Sequence, residues 1–124
     1  MKRISRRRLR INSLAEICLN EAGITNRPTV FRKVPNGTFA VYFDSADNDQ
    51  SADLINNVRS HDVTIELYEE KQNFKARRAL EAAMDERAIK WDRADTVWLE
   101  EEQYYETIYN FSYIERRLDN GQKR

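Results

Sequence analysis

Apolar positions along the chain change period several times, and each change marks an element. In Asp62–Tyr68, Val63, Ile65 and Leu67 alternate with Thr64, Glu66 and Tyr68, the period-two pattern of a strand with one packed face. A charged turn, Glu69-Glu70-Lys71, follows. From Asn73 to Glu86 the spacing becomes helical: Ala76, Ala79, Leu80, Ala83 and Met84 form one stripe, flanked by Phe74. Arg77, Arg78, Glu81, Asp85 and Glu86 cover the opposite side, with Arg77 and Glu81 as an i,i+4 pair. After Ile89-Lys90-Trp91-Asp92 comes a long aromatic strand, residues 102–113. Tyr105, Thr107, Tyr109, Phe111 and Tyr113 alternate there with Glu106, Ile108, Asn110, Ser112 and Ile114. Neither of its faces is wholly apolar. It reads either as a core strand with a tyrosine-rich solvent face or as a strand covered by a neighbour.

The first half is less regular. Leu14, Ile17 and Cys18, with Ile11 a turn earlier, predict a short helix; Ser13-Leu14-Ala15-Glu16 fits a capping box and Gly23 a stop. Cys18 on that stripe reads as a packed thiol. Residues 29–34 and 38–44 alternate like strands around Pro35-Asn36-Gly37, which predicts a β-hairpin. Residues 44–61 read as a polar loop that orders on assembly, with Asp44, Asp47, Asp49 and Asp53 as its acidic positions. The spacing of Asp47, Asp49, Ser51 and Asp53 invites a calcium reading, but the mid-loop Gly and closing Glu of an EF-hand are missing. His61, beside Asp62, reads as a surface histidine. Together these elements predict an α+β fold, an antiparallel sheet of about four strands packed by two helices.

With 124 residues the chain is read as one domain, 1–124, with a basic N-terminal arm at 1–11 and a frayed tail at 115–124. Lys plus Arg and Asp plus Glu balance at 21 each. The distribution does not balance: residues 1–33 hold nine Lys or Arg against two Glu, so they carry +7 and the remainder −7. Lys2, Arg3, Arg6, Arg7, Arg8 and Arg10 make the arm, which suits contact with an acidic protein neighbour or with phosphates. Glu100, Glu101, Glu102 and Glu106 form a solvated or partner-facing acidic edge. One cysteine excludes an intramolecular disulfide and fits a reducing compartment. There is no signal-peptide pattern and no run near the ~20 apolar residues of a membrane helix, so no membrane association is expected. Phosphate-cradling glycine loops and a nucleophile elbow are also missing. The expectation is a protein without cofactor, metal or catalysis.

The stretch from Val63 to Tyr113 resembles the small siphophage and prophage tail terminator and tail-to-head joining (tail completion) proteins. The likeness rests on Ile65-Glu66-Leu67-Tyr68 before the charged turn, Leu80-Glu81-Ala82-Ala83-Met84-Asp85-Glu86, Ile89-Lys90-Trp91, and Tyr104-Tyr105-Glu106-Thr107-Ile108-Tyr109. Earlier, a helix ending at Gly23-Ile24 and Phe39-Ala40-Val41-Tyr42 fit the same layout, so it spans about residues 12–114. The resemblance implies a small α+β sandwich that forms a ring, commonly a hexamer, at the head-proximal end of a tail. Its partners would be itself, the major tail tube protein and a head-completion protein. Its place would be the virion, after assembly in a host bacterial cytoplasm. The arginine arm departs from the pattern.

Two oppositely charged regions suit head-to-tail packing of a ring. Candidate interface residues are Arg6, Arg7, Arg8 and Arg10, then Glu100, Glu101 and Glu102, then Tyr104, Tyr105, Tyr109 and Tyr113. Tyrosines are common interface anchors, and nucleic acid would at most pass through the lumen. Two alternatives stand beside this reading. One is a head-closure or connector component. The other is a small regulatory protein that binds nucleic acid through the arm, with strongly salt-dependent affinity.

Overall fold

The computed structural model describes residues 13–48 and 57–117. Element order is α1 (Leu14–Glu21), β1 (Thr25–Pro28), β2 (Thr38–Asn48), β3 (Asn57–Glu69), α2 (Phe74–Glu86), β4 (Asp92–Arg93), β5 (Val97–Leu99) and β6 (Tyr104–Arg117). The α+β class is as the sequence predicts, but the sheet is larger and mixed. It has six strands in the order β1-β2-β3-β6-β4, and β5 also pairs with β6. Three long antiparallel strands form its centre, in register from Thr38↔Glu69 to Asn48↔Arg59 and from Asn57↔Arg117 to Glu69↔Tyr105.

Both helices lie on one face. Ala15, Cys18 and Leu19 from α1 and Leu80, Ala83 and Met84 from α2 pack on Ala40, Tyr42, Val63, Ile65, Leu67, Tyr109 and Phe111. The alternation seen in the sequence selects these strand residues. The stripe of α1 is turned relative to expectation: Ala15 and Leu19 are buried with Cys18, while Leu14 and Ile17 sit at the margin. Ser13 caps the helix, accepting from the Ala15 N–H at 3.1 Å. Glu16 does not close the box; it accepts from the Tyr42 hydroxyl at 3.3 Å.

Each helix ends in the same device. At α1, the Ile24 N–H reaches the Leu19 carbonyl and Gly23, at φ 75°, occupies the left-handed position. At α2, the Ile89 N–H reaches the Met84 carbonyl and that position holds Ala88, at φ 57°.

Three expectations are corrected. The hairpin of 29–34 with 38–44 does not form. Thr25–Pro28 pairs with β2 instead, in parallel, from Thr25↔Phe39 to Pro28↔Tyr42. Pro28 offers no N–H, and Thr29 takes φ 61°, so the chain leaves the sheet there. Gly37, at φ 81°, turns the chain into β2 and is clasped by Glu70 through two hydrogen bonds. Asp44 and Asp47 are not loop residues, because β2 continues to Asn48 and β3 begins at Asn57; the polar alternation belongs to strands that extend beyond the core. Asp49 and Asp53 lie outside the described residues. Residues 115–117 are strand rather than frayed tail, since β6 continues to Arg117.

Arg77 and His61 are also buried, against expectation, because each meets a carboxylate partner: Arg77 that of Glu69 at the end of β3, His61 those of two other strands. The Arg77 guanidinium makes a two-pronged contact with Glu69 at 2.9 and 3.0 Å. His61 Nδ1 lies 2.6 Å from Asp44 and Nε2 lies 2.9 Å from Glu115, with the ring stacked on Tyr113 at 4.4 Å.

Candidate assembly surface

With both helices on one side, the other face of the sheet carries the alternate residues. Phe39, Val41 and Phe43 come from β2, Thr64, Glu66 and Tyr68 from β3, and Glu106, Ile108 and Asn110 from β6. They form matched rows across the strands: Phe39, Tyr68 and Glu106 are one, and Val41, Glu66 and Ile108 the next. Phe39 and Val41 are buried on this face, Phe43 is exposed, and Glu66 and Glu106 are half-buried, so the face is only partly covered.

Residues after β1 fold over part of this face. Phe31 meets Phe39 edge-on at 5.4 Å, Tyr68 stacks on Phe39 at 5.2 Å, and Tyr104 closes the cluster at 5.6 Å. The Tyr104 hydroxyl donates to the Pro35 carbonyl at 3.2 Å, tying that segment to the sheet. Between the segment and the sheet lies an open groove of about 570 Å³. Val30 and Val34 stand on it and remain 67% and 61% exposed. Glu66, Glu102 and Glu106 line the groove, and no Lys or Arg is among its described lining residues, although Arg32 and Lys33 stand exposed on the segment that covers it.

The acidic pair at its base is under-supplied with protons. The Tyr68 hydroxyl lies 2.9 Å from Glu66 Oε1 and 2.9 Å from Glu106 Oε2. One hydroxyl proton serves only one of these acceptors. Both carboxylates are half-buried, and among the described residues neither has a cationic partner within ion-pair distance. Burial first, and then the two carboxylates, drive the Tyr68 phenol well above its ordinary range, so it stays a donor.

The other sequence-derived candidates fall in three places. Glu100, Glu101 and Glu102 are exposed on the turn between β5 and β6. Beside that turn Tyr105 is half-buried against Trp98, which is 41% exposed and lies 4.8 Å away. Trp98 and Val97 belong to this patch and were not identified from the sequence, because a strand of three residues has no periodicity to detect. Tyr109 is corrected: it is fully buried under α2, its hydroxyl donating to Glu81 at 2.8 Å, so it cannot anchor a partner. Tyr113 is half-buried in the His61 cluster at the far end of the sheet. Burial, with Asp44 and Glu115 nearby, raises its phenol to about 12. Arg6, Arg7, Arg8 and Arg10 lie outside the described residues. Tyr104 thus joins the groove, Glu102 links the groove to the turn, and Tyr113 is remote from both.

Among the described residues no helix is long and apolar enough to cross a membrane. No protein-family model matches the sequence, and no curated protein does. The fold is similar to that of a chain in the virion of a native gene transfer agent particle. The two are 16% identical, 90% of each chain is covered, and the TM-score is 0.51.

Proposed function

We propose that this chain is a structural component of a phage-like particle: a tail terminator or tail-to-head joining protein that forms a ring, as a hexamer, at the head-proximal end of a tail. The observation that carries the reading is the shared fold, which extends over 90% of this chain and 90% of a chain from a gene transfer agent virion. The unhelixed sheet face supports it. Aromatic residues that touch one another, an open groove and carboxylates without cations are what a subunit needs to meet another protein. The role is assembly, not catalysis. The partners are further copies, then the tail tube protein on one side and a head-completion protein on the other, and the location is the virion neck. DNA passes through the ring without being read.

Electron microscopy of the purified chain tests this reading. Closed rings with a central opening, or rings capping tail tubes when tube protein is added, are the expected result. Isolated subunits that neither close nor bind tubes would refute it.

A further inference from the structure

The groove on the open sheet face has a chemistry that the chain itself matches. Its floor is aromatic, its described lining holds three glutamates and no Lys or Arg, and the Glu66–Tyr68–Glu106 cluster has two carboxylates for one hydroxyl proton. Residues 1–12 hold Lys2, Arg3, Arg6, Arg7, Arg8 and Arg10, no acidic residue, and the apolar Ile4, Leu9 and Ile11.

We propose that this groove seats the N-terminal segment, residues 1–12, of a neighbouring copy, with an arginine placed between Glu66 and Glu106. The proposal rests on the self-assembly reading above and names the contact that makes it. A guanidinium donates to two carboxylates at once from one plane, and that plane can also lie against the half-buried Tyr68 ring between them. It supplies the protons that Tyr68 cannot. The apolar residues of the segment match Val30, Phe31 and Val34.

The same copy's segment has the longer path to the groove, so a neighbour's is the occupant proposed, and mixing tests that choice. The chain enters α1 at Ser13, whose hydroxyl is 3.4 Å from the Asp44 carboxylate on the helix-covered side. Along β2, Asp44 is about 17 Å from Phe39, at roughly 3.4 Å per residue, and the groove is on the opposite face. The segment of the same copy would have to run back along the sheet and round its edge. A copy packed against this face would present its own segment, which spans up to about 40 Å when extended, without that detour.

The test uses a labelled peptide of residues 1–12 and the full chain carrying Arg6→Gln, Arg7→Gln, Arg8→Gln and Arg10→Gln, so that its own segment does not compete. Saturable binding is expected by fluorescence anisotropy. Adding Glu66→Gln with Glu106→Gln should weaken it at least tenfold; the amide oxygen of Gln still accepts from Tyr68, so the fold is kept. Val34→Arg, at an exposed position, should weaken it as well. Absence of binding, or binding indifferent to both changes, overturns the proposal.

Mixing separates neighbour from self. The Arg-neutralised chain and the Glu66→Gln, Glu106→Gln chain should each assemble poorly, and an equal mixture should form larger species than either. A mixture no larger than its parts overturns docking in trans. If the unmodified chain still forms multimers while the groove variants do too, only this inference fails. An unmodified chain that stays monomeric and does not bind tail tubes refutes the assembly reading itself.

Discussion

Glu69 is the strongest internal lever in the molecule, and removing its partner has a calculable cost. The carboxylate is fully buried at the end of β3 and receives three donors: Arg77 Nε at 2.9 Å, Arg77 Nη2 at 3.0 Å and the Asn73 N–H at 2.8 Å. Asn73 in turn caps α2 through the Ala76 N–H and donates to Thr38. One side chain therefore joins β3, the start of β2 and the start of α2. Arg77→Met keeps the aliphatic volume and takes away the charge. The stranded carboxylate must then remain ionised in the core or be protonated. For an ordinary glutamate, with a pKa of about 4.3, protonation at pH 7 costs about 3.7 kcal/mol. That sits within the roughly 3–5 kcal/mol seen when one member of a buried pair is lost. For a chain of this length, about 4 °C is expected per kcal/mol, so Tm should fall by about 14 °C. The cost of protonation shrinks to about 1 kcal/mol at pH 5, so the deficit should narrow as pH falls. Adding Glu69→Gln should restore much of the stability at pH 7. Urea unfolding followed by circular dichroism at both pH values measures this. A loss below about 1 kcal/mol at pH 7, or one that does not change with pH, would refute the reasoning.

Other consequences are open to measurement. Burial opposes charge on His61, but the hydrogen bonds its ring donates to Asp44 and Glu115 outweigh it and raise its pKa. Its contribution to stability is then full below about pH 6.5 and is lost as pH rises through the folded pKa; the stability gap between the unmodified chain and His61→Asn should close over that rise, and a gap that widens would contradict the assignment. Ala88 holds a left-handed C-terminal position suited to glycine, so Ala88→Gly should raise stability by about 1 kcal/mol in a thermal melt. Gly37→Ala should lower it by about 1–2 kcal/mol through backbone strain alone, since an added Cβ meets nothing within 4 Å. Cys18 is fully buried and burial raises its thiol pKa; a thiol reagent should label it slowly in the native chain and at once in urea.

The sequence made the long elements legible because each has a period and enough residues to display it. Val63, Ile65 and Leu67 and the Leu80–Ala83–Met84 stripe were placed on the correct faces. The parallel β1 was not legible, because Thr25–Pro28 is too short and polar to alternate and its register depends on β2. The apolar alternation after it misled, since Phe31 packs on the sheet without joining it. The His61–Asp44–Glu115 contacts join residues distant along the chain, and the Arg77–Glu69 contact depends on the angle at which the turn sets α2 on β3, so one-dimensional spacing anticipates neither. For the candidate surface, the sequence singled out Glu102 and Tyr104, which the fold brings to the groove. It also signalled that Phe39, Val41 and Phe43 share a face, but not that this face lacks a helix. Two helices shared between two faces would have shown the same pattern.

The central claim is self-assembly, and solution mass is its most direct test. Light scattering after size exclusion, across protein concentration and at low and moderate salt, gives that mass. The account predicts species approaching about six copies of the 14.8 kDa subunit, shifting to smaller ones as salt screens the contacts between the basic segment and the acidic groove. A 14.8 kDa species at every concentration and salt would contradict it.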